Sequence, residues 1–140
     1  PRDPGPDDEP CDEGLVAAIE NALDDAGIGP GDIDLIVPLA LGVPDLDARE
    51  LGAIQRVFTN HLDRIPLLTL ANRTGNTMAG HGGLMTAAAA MCLHTQTLPA
   101  GMMRADGGDI INSENSSSLN RALVCTGSLG GQTGALVLGR

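Results

Sequence analysis

Residues 76–94 constrain this chain more than any other stretch, because they read as a helix with almost no side-chain bulk. The run is Asn76-Thr77-Met78-Ala79-Gly80-His81-Gly82-Gly83-Leu84-Met85-Thr86, then Ala87 to Ala90, then Met91-Cys92-Leu93-His94. Each glycine inside a helix costs roughly 1 kcal/mol against alanine. A sequence keeps Gly80, Gly82 and Gly83 where other backbone must approach closely, and the alanines extend that requirement by a turn. The spacing therefore predicts a buried, closely packed helix opening from the turn Arg73-Thr74-Gly75-Asn76. Asn76 is placed as its N-cap, among unpaired N–H groups that favour anions or acyl oxygens.

Composition removes several function classes. The 140 residues hold one domain's worth of core, and 42% are hydrophobic, with no apolar run long enough to span a membrane. A net charge of −10 opposes a nucleic-acid or anionic-membrane surface. All eight basic residues are arginine, so lysine Schiff-base and lysine general-base chemistry is excluded within the chain. Phe58 is the sole aromatic residue, which removes base-stacking platforms. Cys11, Cys92 and Cys125 are an odd set without metal-like spacing, as in a reducing compartment, and a cytoplasmic location is expected. His61, His81 and His94 also lack a ligand pattern. They are read as structural, His61 at a helix end, and neither a metal nor a cofactor is expected.

The chain divides into an acidic, proline-rich arm, residues 1–13, and a domain, residues 14–140. Leu15, Val16, Ile19, Ala22, Leu23 and Ala26 recur at helical spacing, with Gly27 as the stop. Residues 33–37 read as a buried strand closed by Pro38. A second helix is expected over 47–60, with Asp47 and Glu50 at capping-box spacing. A second strand is expected over 65–70, and residues 95–120 form a long irregular loop. Two closing strands, 121–126 and 135–138, are joined by a glycine-rich connection of eight residues, 127–134. The order α-β-α-β-α-loop-β-β predicts an α/β layered sandwich with a mixed sheet and a buried small-residue helix.

Four segments in register resemble the C-terminal half of a β-ketoacyl-acyl-carrier-protein synthase, a condensing enzyme of the thiolase-like fold. Residues 27–34 are similar to that family's helix end and acidic strand entry. Gly42-Val43-Pro44-Asp45-Leu46-Asp47-Ala48-Arg49-Glu50 resembles its G-T-P-L-G-D-x-x-E loop. Thr74-Gly75-Asn76 through Pro99 resembles its T-G-H turn and small-residue helix. Residues 122–133 resemble its closing N-S-F-G-F-G-G-T-N strand and turn. The resemblance covers roughly residues 13–140 and implies a thiolase-like half domain.

By the same resemblance, the family's two active-site histidines fall at Leu39 and Asn76, and its lysine falls at Ala71. No catalytic residue is therefore assigned. The cysteine nucleophile belongs to the family's N-terminal half, and none of the three cysteines here occupies its motif. An acyl pocket is placed at Asn76, Gly127, Leu129, Gly130 and Gly131, with Gly127 and Leu129 replacing the family's gating phenylalanines. Three roles follow as expectations. The first is a silent partner of an active synthase in fatty-acid or polyketide assembly, of the chain-length-factor type. The second is half of an active condensing or acyl-transfer enzyme whose nucleophile lies elsewhere. The third is an acyl or carrier-protein binding module without chemistry. The expected partners are a ketosynthase or a second copy, with an acyl carrier protein as a further candidate, and neither nucleic acid nor membrane. The family's C-terminal half opens with a strand before the loop at which this chain begins. A sheet edge or face is therefore expected to be exposed, with association in solution.

Overall fold

The computed structural model describes residues 11–99, 118–128 and 130–140. Helix α1 spans Glu13–Ala26. Asp12 caps it by accepting from the Leu15 N–H at 3.0 Å, so the folded segment already includes the last residues of the expected arm. Its stop is the one anticipated. Gly27 takes φ +67° and donates to Asp24 at 3.0 Å, while Ile28 donates to Leu23 at 3.1 Å, the paired bonds of a Schellman turn.

Among the described residues the sheet has three strands, in the order β1-β2-β3. They are β1 (Leu35–Val37), β2 (Arg121–Gly127) and β3 (Thr133–Gly139). Strand β1 runs parallel to β2, with Ile36 opposite Leu123, and β3 runs antiparallel to it, with Val124 opposite Leu136. This is the mixed sheet the pattern predicts. Asp34 fixes the entry of β2, its carboxylate accepting from the Asn120 and Arg121 N–H groups at 2.8 and 3.0 Å.

Strand alternation separates two cores. Ile36, Leu123 and Cys125 face α1 and helix α2 (Pro44–Phe58), packing with Ile19, Ile54 and Phe58. Leu35, Val37, Ala122 and Val124 face helix α4 (His81–Thr95), packing with Met85 and Ala89. The result is helix, sheet, helix in three layers. An Arg56–Glu13 ion pair also links α2 to α1 at the surface.

Several expectations change in detail. Residues 65–70 form no strand beyond an isolated bridge from Leu67 to Ile36. Pro66 has no N–H to continue a ladder, although its carbonyl accepts from Ile36 at 3.0 Å. Helix α2 begins at Pro44, three residues before the expected start, because proline suits the first helical position. His61 lies beyond the end of α2, where its Nδ1 accepts from Arg64 Nη2 at 2.8 Å; guanidinium only donates. The closing connection is shorter than eight residues, since Gly127 still pairs with Thr133. Gly131, at φ +80°, makes the turn by donating to Ser128 at 3.0 Å.

The small-residue helix also starts later than expected. A four-residue helix, α3 (Ala71–Thr74), ends at Gly75, and Met78–Gly80 form a 3-10 turn before α4. Asn76 does not cap α4. Its Oδ1 accepts from the Met78 N–H at 2.8 Å, a local bond that competes with helix formation, and Met78 takes φ +53°. Residues 72–80 are exposed rather than buried. Close approach justifies glycine only at Gly82, where a Cβ would meet Thr126 Cγ2 at 3.4 Å; at Gly83 nothing lies within 4 Å. The long loop expected over 95–120 falls mostly outside the described residues. Its two ends are clamped by Gln96, which donates to the Leu93 and Leu119 carbonyls and accepts from Leu119 N–H at 2.9 Å.

Candidate functional site

The loop leaving β1 reaches the site first, and carboxylates of α2 hold it there. Glu50 accepts from the Leu39 and Ala40 N–H groups at 2.6 and 2.9 Å. Asp47 accepts from Gly42 N–H at 2.9 Å. Both carboxylates thus reach back to the loop, so the capping box does not form, and α2 has no side-chain cap. The grip has a purpose, because Ala40 sits at φ +41°, a backbone state an alanine holds only under constraint. Burial pushes the Glu50 carboxyl above its ordinary range, with Asp47 and Asp12 adding to the rise, against the two backbone bonds that favour the ion.

Held this way, Leu39 and Leu41 form one wall of an open cavity of about 550 Å³. The turn before α4 contributes Asn76 and Met78, and α4 itself contributes His81 and Gly82. The β2–β3 hairpin closes the opposite side with Thr126, Gly127, Gln132 and Thr133. A smaller cavity of about 250 Å³ adjoins it, the two sharing Leu39, Leu41, Thr126, Gly127, Ser128 and Thr133 in their linings. The smaller space includes Glu50, Asp47 and Arg49; among the described residues the larger has no Asp, Glu or Arg in its lining.

The residues singled out in the sequence divide clearly. Leu39, Asn76 and Gly127 meet in the larger cavity. Gly131 lines only the smaller one, while Gly130 and Ala71 line neither. Leu129 lies outside the described residues. A Cβ on Gly127 would stand 3.4 Å from Leu39 Cδ2, so leucine at one position and glycine at the other fit together. Gly127→Phe is expected to cost about 1–3 kcal/mol through overpacking. Adding Leu39→Ala should recover most of that, and a double-mutant cycle on thermal stability reads the coupling.

Two residues were missed as parts of the site. Glu50 was assigned to its own helix, and His81 to a purely structural role. Two of the cysteines, Cys92 and Cys125, are buried and make poor nucleophiles. Burial, helped by Glu50, pushes the Cys125 thiol far up, and burial also raises Cys92. Among the described residues no cluster of His, Cys, Asp and Glu could hold a metal ion, and no helix is long and apolar enough to cross a membrane.

Helices on both faces of a mixed sheet, with a cavity where the β1 exit, the start of α4 and the β2–β3 hairpin converge, define a thiolase-like half domain. A solved ketosynthase/chain length factor, from ishigamide synthesis, has the same fold, with a TM-score of 0.77 at 20% identity over 94% of this chain and 34% of that one. Residues 7–103 match the family described as "Beta-ketoacyl synthase, C-terminal domain". The chain belongs to that family. It is 38% identical, over 91% of its length, to "Actinorhodin polyketide putative beta-ketoacyl synthase 2" of Streptomyces coelicolor. It is 28% identical, over 94% of its length, to "3-oxoacyl-[acyl-carrier-protein] synthase 2" of Coxiella burnetii. It spans 32% and 33% of these relatives' lengths.

Proposed function

We propose that this chain is the C-terminal half of a catalytically silent β-ketoacyl synthase-like subunit, which pairs with an active synthase in fatty-acid or polyketide assembly. The observation that carries this reading is the convergence of Leu39 and Asn76 in one cavity, at the positions where the family resemblance puts its two histidines. Decarboxylative condensation needs donors on the malonyl carbonyl and the developing enolate. A leucine side chain offers none, and an asparagine donates but moves no proton. Removing one such donor costs about 10²–10³ in rate. Ala71, at the lysine position, lies outside the cavity lining, so no amine replaces them there.

The shared fold with the ishigamide ketosynthase/chain length factor supports a ketosynthase as the partner. Among the described residues the outer edge of β3 carries no further strand, and Met91, on the face of α4 turned away from the sheet, is 61% exposed. Both leave surface for the rest of the protein or a partner. The net charge of −10 disfavours this half as the docking face for an acidic carrier protein, which belongs on the active subunit. A cytoplasmic location goes with this reading.

Native mass spectrometry of the full-length protein mixed with an active ketosynthase tests the pairing. A one-to-one heterodimer is expected; a protein that stays monomeric or only self-associates beside excess ketosynthase would overturn it.

A further inference from the structure

Glu50 lines the smaller cavity and holds the wall shared with the larger one by a bond pattern that uses both of its oxygens. Oε1 accepts from the Leu39 N–H at 2.6 Å and Oε2 from the Ala40 N–H at 2.9 Å. A protonated carboxyl keeps one good acceptor, because its second oxygen becomes an O–H donor. Ala40 meanwhile sits at φ +41°, a state that persists only while its surroundings enforce it. Asp47 holds Gly42 through one oxygen, so a proton on its other oxygen leaves that bond intact. The Leu39 side chain lines both cavities and lies against Gly127, where a Cβ would meet Leu39 Cδ2 at 3.4 Å.

We propose that Glu50 is a proton-operated latch on the loop leaving β1: ionised, it pins Leu39 and Ala40 in place, and protonated, it frees Ala40 from its left-handed state and lets Leu39 leave the wall between the two cavities. The groups around Glu50 favour taking up the proton. Asp12 at the start of α1 and Asp47 on α2 line the same cavity and repel the ion. Arg49 is the one cation in that lining, and it is exposed to water, which screens it. From β2 comes only Cys125, a buried thiol that Glu50's charge pushes further up; the described part of the hairpin supplies hydroxyls and backbone to this lining. Burial is the largest cause and raises the carboxyl above its ordinary 4.5, so the latch opens as pH falls through that raised value. The latch rests on the loop geometry alone and holds whether or not the subunit is silent.

Hydrogen exchange of the Leu39 and Ala40 amides, corrected for its intrinsic pH dependence, tests the latch in full-length protein from about pH 8 to about pH 4. Protection of both amides is expected to fall by about ten-fold or more in a one-proton transition centred above 4.5. In leucine-methyl-labelled protein, the nuclear Overhauser contact between Leu39 Cδ2 and the Gly127 α-protons should weaken over the same transition. Amides of β3 should stay protected, which separates the latch from acid unfolding. Glu50→Gln, with one acceptor at every pH, should show low protection throughout. Protection and contact that do not change with pH would overturn the latch, as would loss of protection in β3 at the same pH. A Glu50→Gln protein that folds and keeps the wild-type response would also overturn it. The unaltered protein decides the matter even if the variant fails to fold.

Discussion

Replacing Phe58 with alanine is expected to lower the stability of this domain by about 3–5 kcal/mol, the usual range for an aromatic removed from a closed core. Phe58 is the only aromatic residue in 140 and is fully buried at the end of α2. It packs in the cluster that joins α1, α2 and the sheet face carrying Ile36, Leu123 and Cys125. No other aromatic ring is present to relax into the space, so the cavity term adds to the lost transfer energy. Against a total of about 5–15 kcal/mol for an ordinary domain, the loss takes much of the margin. Native-state hydrogen exchange at the Leu123 and Val124 amides in full-length protein checks it. Protection unchanged within about ten-fold would show that Phe58 does not tie the layers together.

Glu50→Ala is the second large effect, and it falls on the site rather than the core. The Leu39 and Ala40 N–H groups lose their acceptor, and each unmet donor costs about 1–3 kcal/mol. A total of about 2–4 kcal/mol is expected, because the loop is half-buried and water replaces part of the loss. Ala40, at φ +41°, should then relax, changing the cavity wall at Leu39. The same carboxyl gives stability a pH dependence of predictable sign. Its native pKa is raised from 4.5, burial being the main cause, so above pH 4.5 the folded chain keeps a proton that the unfolded chain has released. This group's contribution is full below 4.5 and is lost as pH rises through the raised native value. Glu50→Gln should flatten that decline. A variant whose stability falls as steeply as wild type over the same interval would assign the titration elsewhere.

How far the sequence revealed the fold depended on whether a signal was local. The apolar spacing of Leu15, Val16, Ile19 and Leu23 identifies α1, and Gly27 its end, because both are properties of a single segment. The two closing strands were legible as apolar runs, and their pairing extends them to Gly127 and Thr133. Glu50 was misassigned because three-residue spacing to Asp47 is the same whether the carboxylate folds back on its helix or reaches across to Leu39. Asn76 was misplaced for a related reason. Its side chain can cap a helix or bond two residues ahead, and the second bond won where Gly75 and Met78 both take positive φ. His81 carried almost no sequence signal. A histidine on a small-residue helix looks the same whether both nitrogens are satisfied or one is buried without a partner, and only the three-dimensional packing distinguishes the two.

The most direct measurement is 3-oxoacyl product formation from malonyl- and acyl-carrier protein by the purified full-length protein, alone and then with an active ketosynthase added. The silent-subunit account predicts no product above the enzyme-free control for the protein alone, and product only when the ketosynthase is present. Condensation by this protein without a partner would contradict it, and would mean that a proton-moving group other than those at positions 39, 71 and 76 serves the reaction.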